Sequence, residues 1–147
     1  MPRRVRGRPA GPETRLPRRD HQVRTGRARL DQQARAVGRD PASITTALQS
    51  IVCLGDTPEQ ARKTFLNSSF DLFRQSLSAT MTKGVDLDAY LELNLIGTPD
   101  QVRAKVAAFA DAGVEHFCAL LFVANTVEDF RSQIRAFARH VIPAFPG

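Results

Sequence analysis

Apolar residues fall into two kinds of run along this chain. Residues 44–54, ITTALQSIVCL, start β-branched and end almost continuously apolar, and residues 116–124, HFCALLFVA, are apolar nearly throughout. Short runs of this kind, without polar alternation, suit strands buried on both faces, as in a parallel sheet. Elsewhere the apolar positions follow helical spacing. Ala61, Phe65, Leu72 with Phe73, and Leu77 form one stripe, with NSS at 67–69 as a candidate break. Val102, Val106, Phe109 and Ala110 form a second. Val127, Phe130, Ile134, Phe137, Ala138 and Val141 form a third, predicted to face the core along its whole length.

The helix starts carry recognisable chemistry. GDTPEQAR at 55–62 and GTPDQVR at 97–103 share Gly, then Thr-Pro-acid-Gln. Thr57 and Thr98 are placed as N-caps. Pro58 and Pro99 take the first helical position, where the missing N–H costs nothing. Gln60 and Gln101 stand where each closes a capping box. Asn125 or Thr126 caps the last helix, and Pro143 ends it. Gly113 is placed to stop the preceding helix in a left-handed conformation. Upstream, a short helical segment from Asp31 stops at Gly38, and Asp40-Pro41 makes a turn. The stretch 78–94 is less regular: Lys83-Gly84 ends a helix, and Asp86 or Asp88 starts a short one.

Strands alternating with helices predict an α/β chain with a parallel sheet. Two strands alone leave unpaired edges. Residues 31–147 are therefore expected to belong to something larger, or to self-associate through exposed strand edges.

The net charge of +6 is unevenly spread. Residues 1–30 carry +8 and contain 17 Arg, Pro and Gly, whereas residues 31–147 carry −2. The first thirty residues lack aromatic residues and any helical or strand period, and the expectation is a disordered arm. Three readings of it stand side by side: a nucleic-acid-binding arm, a mitochondrial transit peptide, and an out-of-frame translation of GC-rich DNA with the genuine frame starting near Leu30. The arm lacks the interleaved aromatics that stack bases, so nucleic acid is not the expected partner.

Candidate chemistry is sparse. Cys53 and Cys118 both lie in apolar runs and read as buried thiols of a reducing, cytoplasmic protein. No run of about 20 apolar residues is present to span a membrane. His21, His116 and His140 lack acid or Cys partners, and no metal-ligand spacing occurs. Arg74 and Lys83 are read as solvated charges, with contact to an anionic substrate as the alternative. Asn67 matches a glycosylation acceptor, without a secretory segment to use it.

GRDPASI before one strand, GDTPEQAR after it, then GTPDQVRAKVAAFADAGVEHF and FARHVIPAF, resemble the C-terminal portion of the bacterial luciferase-like family over residues 39–145. That family comprises flavin- or deazaflavin (F420)-dependent oxidoreductases and monooxygenases on a TIM barrel. The resemblance implies a partial TIM (β/α)8 barrel made of its last two parallel strands and their helices. It implies FMN or F420 as cofactor and a small-molecule substrate. The family's first six strands, which carry most flavin contacts and catalytic groups, have no counterpart here. No catalytic residue is assigned, and activity of the chain alone is not expected. In such a barrel the chemistry sits where strands end and helices begin. Gly55, Asp56, Thr57, Gly97, Thr98 and Asn125 are thereby the candidate cofactor- or substrate-side residues, although the threonine hydroxyls are first expected to cap their own helices. The alternative function is a non-enzymatic binding protein with a basic nucleic-acid-binding arm.

Overall fold

A computed structural model describes residues 19–77 and 85–145. Three parallel strands form one sheet in the order β2-β1-β3. β1 (Ala47–Leu54) is central, with β2 (Leu95–Gly97) on one side and β3 (His116–Phe122) on the other. The sequence pattern predicts only two of these strands. β2 is three residues long, too short for any period, and reads in sequence as a lead-in to the helix after it. It also flanks β1 instead of lying between β1 and β3.

Alternate residues of β1 enter separate cores, as the two-residue period of a strand requires. Val52 and Leu54, with Leu95, pack against Val102 and Phe109 of α5 (Pro99–Asp111) and Phe137 of α6 (Val127–His140). Cys53 and Ile96 pack against Ala61 and Phe65 of α2 (Pro58–Leu66), with Tyr90 and Leu91 of α4 (Leu87–Glu92) alongside. The C-terminal half of β1 is thus buried on both faces, as its apolar run predicts. β3 is not: its residues are exposed or half-buried along its length. The edge of β3 away from β1 pairs with no other strand among the described residues.

Several helical expectations need correction. The boundary expected between residues 30 and 31 falls inside α1 (Arg19–Ala36), so residues 19–30 are helical rather than disordered. Two arginines attach this helix. The Arg27 guanidinium donates to Ile44 O at 2.8 Å, Thr46 Oγ1 at 2.6 Å and Pro41 O at 2.9 Å, and pairs with Asp31 at 2.7 Å. Arg19 lies 5.6 Å over the Phe109 ring and donates to Leu93 O and Gln49 O. Packing and backbone acceptors thus order a segment that its own composition does not. Residues 1–18 and Lys83-Gly84 lie outside the described residues.

The break at 67–69 is present: α2 stops at Leu66 and α3 (Ser69–Leu77) follows. α3 turns part of that stripe outward, however: Leu72 and Phe73 are exposed, while Phe70 packs against the core that holds Phe65. It buries Asp71 instead, held by Arg74 Nε at 2.7 Å and Gln75 Nε2 at 2.7 Å. Arg74 is therefore not the solvated charge expected; it pairs with a buried acid and lies 5.8 Å from the Tyr90 ring centroid. The last stripe also holds only in part. Phe137 and Val141 are buried, whereas Val127, Phe130, Ile134 and Ala138 are exposed.

Candidate functional site

The C-terminal ends of the three strands make one rim. Leu54 is the register partner of Gly97, and Gly55 N donates to Gly97 O at 3.2 Å. The two Gly-Thr-Pro segments are therefore neighbours across the β1–β2 pair. On the other side, Val123 N donates to Val52 O at 2.9 Å and leads the chain past β3 into the Asn125-Thr126 turn. Asn125 Nδ2 donates to Asn67 O at 2.8 Å, tying this turn to the junction of α2 and α3. All six sequence-predicted residues, Gly55, Asp56, Thr57, Gly97, Thr98 and Asn125, lie at this rim.

Close approach explains both glycines. A Cβ on Gly55 would lie 2.5 Å from Ala61 N, a backbone atom that cannot swing away. Gly97 has φ +150°, and a Cβ there would meet Gln101 Oε1 at 2.6 Å.

The threonine hydroxyls of the rim are engaged internally. Thr57 Oγ1 accepts from Gln60 N at 3.1 Å, and Thr98 Oγ1 from Gln101 N at 3.3 Å. Thr98 has the full capping box, with its own N–H donating to Gln101 Oε1 at 3.0 Å. The box expected at Thr57 does not close. Gln60 Oε1 instead accepts from Asp56 N at 2.7 Å, one residue earlier. Thr126, not Asn125, caps α6, and its box closes through Asp129. Cations near the rim are also occupied: Arg62 pairs with Asp88, and Arg103 with Asp100 and His140 O.

Four polar side chains that sequence reasoning does not single out finish the sheet around this rim. Gln133 of α6 bonds β1 bidentately: Leu54 N donates to Oε1 at 2.8 Å, and Nε2 donates to Leu54 O at 3.0 Å. On the opposite edge, Asn94 Oδ1 accepts from Ile51 N at 3.1 Å, and Ser50 Oγ accepts from Leu95 N at 3.2 Å. Lys105 Nζ donates to Leu91 O, Asn94 O and Ile96 O at 3.0–3.1 Å, fixing the path from α4 into β2. Burial lowers the Lys105 pKa, with Glu92 opposing that shift. A Gln at mid-helix carries no sequence signal for pairing with a strand 79 residues away.

Cys53 lies directly beneath the rim and is fully buried, its Sγ 3.5 Å from Ala61 O. Burial pushes its thiol up to about 12, so it is a core thiol and not a nucleophile at neutral pH. Cys118 is exposed, contrary to expectation. Phe117 pairs with Leu48 and Ala119 with Gln49, which leaves Cys118 as the extra residue of a bulge. His116 is exposed at the start of β3, at the opposite end from the rim, and His140 ends α6. Among the described residues no cluster of metal-ligating side chains occurs, and no helix is long and apolar enough to cross a membrane.

A flavin carries a ring to sandwich and, in its nucleotide forms, an anionic tail that needs free N–H groups or cations. The N–H groups of Gly55, Asp56 and Thr98, and the Asn125 amide, already have partners within the chain. Clefts of about 200 Å³ and 220 Å³ open elsewhere, one beside α6 and one between α1 and the start of β1. Neither cleft lies at the rim, and the six residues named there offer no cation for such a tail.

Strand order, rim and helix caps define an α/β chain of the parallel-sheet class, with the candidate residues at the strand C-termini. The sequence model of the luciferase-like monooxygenases matches residues 14–116, and the chain belongs to that family. The match begins upstream of Arg39, where the motif resemblance starts. Among solved structures, the monooxygenase RslO1 from Streptomyces bottropensis is similar at 21% identity and a TM-score of 0.62, over 92% of this chain and 40% of that one. The oxygenating constituent of 3,6-diketocamphane monooxygenase from the CAM plasmid of Pseudomonas putida, a type II Baeyer-Villiger monooxygenase in complex with FMN, is similar at 16% identity and a TM-score of 0.59, over 86% of this chain and 41% of that one. These likenesses establish the fold as a portion of the luciferase-like barrel. The chain spans about two fifths of the length of those structures. No curated protein matches it.

Proposed function

We propose that this chain supplies the substrate-side rim of a flavin- or F420-dependent oxidoreductase of the monooxygenase type, and that it neither binds the cofactor tightly nor turns over alone. The carrying observation is the convergence of Gly55-Asp56-Thr57, Gly97-Thr98 and Asn125 at the C-terminal ends of three parallel strands, with both threonine hydroxyls and the Asn125 side-chain NH2 engaged inside the chain. Such a rim shapes a pocket wall. The redox chemistry belongs to the cofactor, FMN or F420, and its contacts belong to elements that have no counterpart among these three strands. The bound FMN of the Pseudomonas putida neighbour supports a flavin over other redox groups for the family portion. A reducing cytoplasmic setting agrees with two unpaired cysteines. The test is fluorescence titration of the purified chain with FMN and with F420. No saturable binding is expected below about 10 μM, a range in which functional cofactor sites bind tightly. A submicromolar Kd for either cofactor would overturn the reading.

A further inference from the structure

Arg74 and Tyr90 carry hydrogen-bonding groups that the chain leaves unused. In a (β/α)8 barrel the crossover helices form the outer ring, so the face of β1 turned away from α5 and α6 is the inner one. Ile51, Cys53 and Val123 belong to that face, with Phe65, Phe70, Tyr90 and Leu91 packed on it. Tyr90 meets the Phe65 ring at 5.8 Å, and the Arg74 guanidinium lies 5.8 Å from the Tyr90 ring centroid. Asp71 holds Arg74 through Nε, at 2.7 Å. Among the described residues nothing bonds the Arg74 Nη1 and Nη2 atoms or the Tyr90 hydroxyl. The Arg74 side chain is only 16% exposed, so little water is there to replace those bonds. Donors left unmade in such a place are costly, and an acceptor brought by a ligand removes that cost.

We propose that Arg74 and Tyr90 receive the carboxylate of an amphipathic small-molecule substrate, whose apolar part lies along the inner face of the sheet. This deepens the substrate-side reading given above and rests on it. The two free Nη groups of Arg74 form the planar fork that a carboxylate matches with two parallel bonds. The Tyr90 hydroxyl supplies a further donor, and burial raises its pKa, so it keeps its proton at neutral pH. Charge favours a monoanion. Arg74 and Arg19 are the cations that act on the Tyr90 hydroxyl and Asp71 the anion, which leaves one positive charge before a ligand arrives. A carboxylate neutralises it, whereas a phosphate dianion adds an unmatched charge to a partly buried site. Gln75 Nε2 donates to the second oxygen of Asp71 at 2.7 Å, so the acid that aims the guanidinium is itself held. Ordering that is already in place in the free chain is not charged against binding.

Tyr90 is the sole tyrosine of a chain without tryptophan, so tyrosine emission reports this place alone. The full chain, without flavin, is titrated with cyclohexanecarboxylate, with inorganic phosphate and with sodium chloride at matched ionic strength. Tyr90 emission and its ring-proton NMR shifts are followed together. Cyclohexanecarboxylate is expected to give a saturable change with a Kd of about 1–10 mM, the range of a single charged anchor. Arg74→Lys keeps the charge but loses the fork, and is expected to weaken binding at least about threefold. Asp71→Asn combined with Arg74→Gln removes both charges together and leaves no lone buried acid. It is expected to abolish saturation while circular dichroism stays unchanged. No saturable change up to about 100 mM overturns the proposal. So does a change that phosphate or chloride matches, or one that survives the double substitution. The titration contains no flavin, so its outcome is independent of the cofactor titration.

Discussion

Single residues at the rim act through geometry that small changes expose. Gly55→Ala drives a methyl into Ala61 backbone at 2.5 Å, so it is expected to destabilise more than Gly97→Ala, where the obstacle is the movable end of Gln101. Removing the cap at Thr98 by Thr98→Ala should cost about 1 kcal/mol, read as a fall in thermal midpoint. Thiol chemistry separates the cysteines. In dilute native protein, Ellman's reagent should titrate Cys118 at once and reach Cys53 only after denaturation. The pH dependence follows from the same burial. The folded thiol of Cys53 is raised from 9.0 to about 12, so its contribution to stability is complete below pH 9 and is lost as pH rises from there towards 12. Tyr90, also raised by burial, adds to the alkaline loss, while Lys105, lowered, acts in the opposite sense. Denaturant titrations between pH 8 and 10.5 should show a slope that Cys53→Ala makes shallower; an unchanged slope would put the effect elsewhere.

At the scale of elements, helix starts were legible in sequence because a cap is local. Thr57, Thr98 and Asp86 each accept a hydrogen bond from the backbone N–H three residues on, and no distant partner is needed. Which face of a helix is buried was less legible. α3 buries Asp71 and exposes Leu72 and Phe73 because Arg74 and Gln75 satisfy the carboxylate from the same helix. Breaking that arrangement by Asp71→Ala leaves Arg74 without its acid, and hydrogen exchange across α3 should accelerate. α1 is the plainest case of tertiary override. Its composition predicts no order, yet Arg27 reaches three acceptors on the approach to β1. Arg27→Met removes those donors at similar bulk. A loss of about 1.5–3 kcal/mol is expected, typical of hydrogen bonds to a charged group, with protection of α1 amides lost before that of β1.

For the whole molecule, the alternation of strands and capped helices was enough to announce a parallel α/β chain and the rim on which its loops meet. The apolar and polar periods are written in the order of residues, and caps and strand runs depend only on near neighbours. The three-residue β2 and the side-chain bonds that finish the sheet around it were not announced. They depend on Arg19, Asn94, Lys105 and Gln133 meeting backbone groups between 9 and 79 residues away. Sequence by itself determined the two longer strands, the capped helix starts and the family likeness. Only the tertiary structure decided the strand order, the order of residues 19–30, the exposure of Cys118 and the apolar side of α6. The physical reason is that a hydrogen bond or a buried face needs a partner in space, and that partner is chosen by the folded chain, not by adjacency along it.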